Sequence, residues 1–136
     1  MSWGFDASLE LVEDLALVLD IHHHFVKTGE YISADDDRVK RMHDSWRGVR
    51  PVIHYSVSRE DLLVEHDTNT LPNLALLKEE GKRINKLRAH SDYYWNHAVN
   101  DWALTFWKDH DIQCESKAKN LASFALADYA KTQGVL

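Results

Sequence analysis

Two features of the sequence predict an α/β fold with a parallel sheet. Apolar runs of strand length recur at 15–21 ("LALVLDI"), 51–55 ("PVIHY") and 111–115 ("DIQCE"), and stretches of helical spacing separate them. Strands that alternate with helices form parallel sheets with helical crossovers. Each run also closes on a metal-capable polar group: Asp20, His54 and Glu115. In such sheets functional groups gather at the C-terminal ends of the strands, so the three groups are expected at one edge of the molecule.

Along the chain, Ser8 is placed to cap a short helix through "LELVEDL", after which "LALVLDI" reads as a buried strand. "HHHFVKTGEYI" is expected to be a polar loop. Ser33 followed by "ADDDRVKRMHDSW" carries a capping residue, acids early and bases late, the signature of a helix. Pro51 opens the second strand, which is expected to end in His54. "SREDLLVEHD" and "LPNLALLKEEGKRINKL" have helical spacing, although the pattern between 57 and 88 is weak. "NHAVNDWALTFWKDH" predicts an amphipathic helix with Ala98, Trp102 and Phe106 on its buried stripe. The strand "DIQCE" follows, and "KAKNLASFALADYAKTQG" closes the chain as a helix with Gly134 near its end.

The 136 residues suffice for one domain, 1–136, with a real core. No apolar run approaches the roughly 18–20 residues of a membrane span. "MSWGFDASLELVED" lacks the basic start and apolar centre of a signal peptide. With Cys114 as the single cysteine no internal disulfide forms, and a cytoplasmic location is expected. The formal charge of -6 argues against a broad basic surface for nucleic acid. Carboxylates that ligate cations are counted as negative in that sum, however, and binding metal reverses their local effect.

Imidazole and carboxylate suit zinc, manganese, iron and related ions, so Asp20, the triplet His22–His24, His54 and Glu115 are candidate ligands. Each also has a plainer reading. A strand-end histidine such as His54 is commonly a hydrogen-bonded structural residue. Glu115 sits where an acid favours a helix N-terminus. A carboxylate that ends a buried strand, as Asp20 does, is costly unless paired or ligated. His43, His66 and His110 read as surface residues without a special role, and the acids at 35–37 as helix N-terminal charge. The aromatics of "DYYW" read as core or interface, with base stacking as the alternative.

Taken in order, "LVLDIHHH", "VIHYS", "AHSDYYWN" and "DIQCESKAKNLA" resemble the C-terminal part of the UV damage endonuclease family. The four segments span most of the chain and leave an unmatched insertion at about 57–86. The resemblance implies a TIM barrel that holds divalent metals, usually manganese, and cuts the backbone of damaged double-stranded DNA on the 5′ side of a lesion. It implies metal ligation by Asp20, His23, His54, His90 and Glu115, with His54 and Glu115 essential to catalysis. It assigns nothing to His22 or His24, one of which is free to orient a neighbouring ligand.

The chain departs from the family in two ways. Val52 stands where the family commonly has lysine. A TIM barrel needs at least about 200 residues, and this chain carries only the last three or so strands. The family's earlier ligands, a bridging glutamate and two histidines, and its damage-probing residues belong to the part not matched. The expectation is therefore a partial-barrel (β/α) unit completed by association, as a homo-oligomer or with a separate N-terminal half. A degenerate, non-catalytic binding subunit and a metal enzyme acting on a small substrate are the alternatives.

Overall fold

The structure is a computed structural model and describes residues 4–136. A three-stranded parallel sheet in the order β1-β2-β3 organises it. The strands are β1 (Leu19–Asp20), β2 (Val52–Tyr55) and β3 (Asp111–Cys114). The helices are α1 (Phe5–Ser8), α2 (Ile21–Thr28), α3 (Asp37–Asp44), α4 (Leu74–Glu79), α5 (Ile84–Leu87), α6 (His97–Leu104) and α7 (Asn120–Thr132). The α/β class with a parallel sheet is as the sequence predicts. No helix is long and apolar enough to cross a membrane among the described residues.

The register explains which side chains face the core. Leu19 pairs with Ile53, and Ile53 with Ile112, while Asp20 pairs with His54 and His54 with Gln113. Side chains alternate between faces, so Leu19, Ile53, Tyr55, Ile112 and Cys114 share one face. That face packs into the main core with Ile21, Val39, Met42, Val99, Ala103, Phe106, Ala122 and Leu126. The opposite face carries Asp20, Val52, His54 and Gln113, none of them buried. Parallel sheets are ordinarily covered on both faces. A smaller core of Phe25, Val26, Leu63, Leu74, Leu77 and Leu87 fastens the 57–88 segment to α2.

Several local expectations are corrected. The first helix begins at Phe5 rather than after Ser8, and the Ser8 hydroxyl donates to the Gly4 carbonyl instead of capping. The first strand shrinks to Leu19–Asp20, with Leu15 and Val18 exposed. The histidine triplet is helical, because Asp20 caps α2 by accepting from the His23 amide at 2.8 Å. The cap of α3 is Asp36, not Ser33. β2 runs one residue past His54. The 58–67 stretch holds only a 3₁₀ turn at 60–62, and Gly81, at φ 84°, stands in the break between α4 and α5. The buried residues of α6 are Val99, Asn100, Ala103 and Leu104, so its stripe lies one residue from the predicted Ala98 and Trp102.

Candidate metal centre

Strand periodicity builds the site. Asp20 and His54 are register partners on the uncovered face. Glu115, two residues beyond Gln113, has its amide bonded to the Tyr55 carbonyl at 2.8 Å, which carries the sheet's pairing one step past β3. Alternation then brings Glu115 to the face of His54. Asp20, His54 and Glu115 each offer a ligand atom, and the three atoms lie within 4.8 Å of one another. No other such group occurs among the described residues.

The contacts inside the triad are short. His54 Nδ1 approaches Glu115 Oε1 to 2.7 Å. That oxygen is buried and makes no hydrogen bond. An orphaned buried carboxylate oxygen is costly. Donors held 2.0–2.2 Å from one cation and at right angles to each other stand about 3 Å apart. One imidazole and two carboxylates suit manganese, zinc or iron. The residues present therefore fit a divalent cation.

The other two predicted ligands stand beside this triad. His90 Nε2 lies 3.4 Å from the second oxygen of Glu115, and His90 is tied into the structure by an isolated bridge to Ser58. His23 presents its amide to Asp20, and its side chain lines a depression of about 330 Å³ with Asp20, His22, Asn85, Arg88 and His90. The compact group thus holds three of the five predicted ligands, with His90 touching Glu115 and His23 on the adjoining wall.

His22 and His24 are fixed by partners distant in sequence. The Ser58 hydroxyl donates to the Leu87 carbonyl at 2.7 Å, so it must accept from His22 Nε2–H at 3.1 Å. The Ser56 hydroxyl then donates to His22 Nδ1 at 2.8 Å. This network sets the tautomer and clamps the start of α2 onto the chain after β2. Burial, followed by the nearby His90 and His23, holds the His22 pKa down at about 3, so the ring is neutral. His24 pairs with Glu30 at 2.6 Å, and Arg38 donates to both oxygens of that carboxylate at 2.8 Å. Hydrogen bonds from Arg38 and His24 hold the Glu30 carboxyl below its usual range.

The structure also changes the reading of His110, expected at the surface. It is buried; its Nδ1 lies 3.2 Å from the Phe106 carbonyl and its Nε2 has no partner. His43 and His66 are half-buried. Tyr94 stacks on Tyr55 in the core, as expected for "DYYW", while Tyr93 is exposed. Lys119, in the matched segment "DIQCESKAKNLA", has its backbone at φ 53° and ψ -125°, a conformation that costs a non-glycine residue about 1–3 kcal/mol.

No family model, curated protein or solved structure matches the chain.

Proposed function

We propose that the chain is a UV damage endonuclease-like unit: a metal-dependent DNA-incising protein whose barrel is completed by association. The observation that carries this reading is the convergence of Asp20, His54 and Glu115 at the strand ends, around an orphaned carboxylate oxygen. Asp20, His54 and Glu115 would hold the cation, manganese by the resemblance, with His90 bracing the far oxygen of Glu115. Such an ion supplies Lewis-acid stabilisation of charge on a phosphodiester and makes a bound water more acidic. The chain's own residues position it: the Asp20 carboxylate is oriented by the His23 amide, and His54 and Glu115 by adjacent strands.

Association is supported by the uncovered sheet face. Val18 is 45% exposed, and Val52 and Gln113 share the open side with the triad. β1 and β3 each lack a strand neighbour on their outer side among the described residues. Unpaired edges and a half-covered sheet invite pairing with another chain. The partner is a second copy or a separate N-terminal half.

The test has two parts. Manganese titration and solution mass are measured on the purified chain, and a dimer or larger assembly with bound metal is expected. Incision of irradiated and undamaged duplex DNA is then followed with manganese and again with chelator. His54→Ala and Glu115→Ala should each abolish incision while leaving the fold intact. Metal binding without incision by any assembly would favour the non-catalytic subunit. Robust lesion-selective cutting by a monomer would end the association reading.

A further inference from the structure

Resting on that reading of the metal centre, we propose that His22 is its positioning residue: the imidazole ties the Asp20 wall to the His54 wall and fixes the spacing at which they meet a cation. His22 is not itself a ligand. Ser56 donates to its Nδ1 at 2.8 Å, and its Nε2–H donates to Ser58 at 3.1 Å, so both ring nitrogens are spent.

The need for such a tie follows from the strands. β1 is two residues long, and its ladder with β2 holds only the pairs Leu19–Ile53 and Asp20–His54. At Ile21 the chain turns into α2, and the ladder ends at the ligand itself. On the other side of His54 the main chain continues the pairing, through the Glu115 amide and the Tyr55 carbonyl at 2.8 Å. Backbone therefore spaces His54 from Glu115. On the Asp20 side, the register carried two residues further sets His22 opposite Ser56. There a side-chain hydrogen bond stands where the ladder has stopped.

Two further observations mark this bond as built rather than incidental. The first is burial: His22 is 5% exposed, Ser56 1% and Ser58 4%. An imidazole and two hydroxyls so placed are costly unless they satisfy one another, and an apolar side chain would fill the space without that cost. All three are satisfied, since Ser58 passes its own proton to the Leu87 carbonyl at 2.7 Å. The second is reach. Ser58 forms the isolated bridge to His90, and the Ser91 amide donates to the Val57 carbonyl at 3.0 Å. The group that sets Asp20 against His54 thus also holds the segment of His90, whose Nε2 stands 3.4 Å from Glu115. His24, just as buried on the same helix, pairs with Glu30 instead, which makes it the control.

The experiment titrates manganese into the full chain by calorimetry, with circular dichroism showing that each variant is folded at the temperature used. His22→Leu should bind at least about tenfold more weakly, the range commonly lost with a group that orients a metal ligand. Ser56→Ala should lose affinity in the same direction. It carries the test alone if the leucine variant does not fold, and wild-type affinity in it would then overturn the proposal. His24→Leu should stay close to the wild-type value. Equal losses from His22→Leu and His24→Leu would reduce both to packing of α2 and overturn the assignment, as would wild-type affinity in His22→Leu. A cycle with Asp20→Asn, which keeps the helix cap, separates positioning from general stability. In that background the penalty of His22→Leu should largely vanish, because the ligand it positions is already lost; a full penalty there would overturn the tie. Absence of manganese binding by the wild-type chain would bring down the metal reading together with this one. Wild-type binding left intact by His22→Leu brings down this one alone.

Discussion

The two ends of the same three-stranded sheet are built on opposite principles. At the N-terminal end of the strands, polar groups find partners with the exception of His110 Nε2. Arg50 pairs with Asp111 at 2.7 Å, donates to the carbonyls of Trp107, Lys108 and His110, and lies over the Trp107 ring. Trp46 donates to the Leu17 carbonyl at 2.7 Å, and the Leu17 amide donates to the Ser45 hydroxyl at 3.0 Å. At the C-terminal end, two carboxylates and an imidazole crowd together, and one carboxylate oxygen makes no hydrogen bond. Buried polar groups are normally satisfied. One end of the sheet therefore closes the fold, while the other gathers groups able to hold a cation.

The sharpest way to break this contrast is Glu115→Gln. At the C-terminal end it should cost metal affinity at least about 100-fold, close to 2.8 kcal/mol, while leaving the metal-free Tm unchanged or higher. Calorimetric titration with manganese and thermal melts in chelator check both halves. A large loss of metal-free stability would make Glu115 a structural residue and erase the distinction.

Next in size is Arg50→Ala at the satisfied end. It removes one ion pair and several hydrogen bonds to carbonyls, all partly open to solvent, and should destabilise by about 1–2 kcal/mol. Chemical denaturation measures that loss, and manganese affinity should stay at the wild-type value. A parallel fall in metal affinity would mean the two ends are coupled through β2 and β3.

The smallest expected effect concerns acid. Burial is the main cause that lowers the His110 pKa, with His43 adding to it and the Phe106 carbonyl opposing it. The unfolded chain therefore takes up this proton first as pH falls. The associated stability is present at neutral pH and lost as pH drops below about 6.5 towards the folded value. His110→Leu should flatten the dependence of stability on pH across that window. An unchanged slope would show that His110 contributes nothing to the acid sensitivity of this end.

The strands were legible because an apolar run of strand length and a terminal polar residue are local signals. Asp20, His54 and Glu115 each follow an apolar run, and parallel pairing carries those three positions to one edge. The helical state of residues 21–28 was not legible, because three consecutive histidines look like a solvated loop. What makes them helical is the Asp20 cap together with Ser56, Ser58 and Glu30, which supply partners for His22 and His24 from elsewhere in the chain. His110 was misread for the same reason: its burial depends on Phe106 and His43, and nothing in "KDHD" announces it.

Asp20 does two jobs with one carboxylate. One oxygen holds the His23 amide at the start of α2, and the same group belongs to the triad. The residues that cap a helix well are aspartate, asparagine, serine and threonine; those that serve divalent ions are histidine, cysteine, aspartate and glutamate. The two sets overlap at aspartate alone. Asparagine at this position would preserve the helix and forfeit an anionic ligand, while histidine or glutamate would keep a ligand and weaken the turn that carries His22 and His23. The alphabet of the protein thus narrows to a single letter at position 20, whereas His54 and Glu115, which cap nothing, remain open to exchange with other ligating residues.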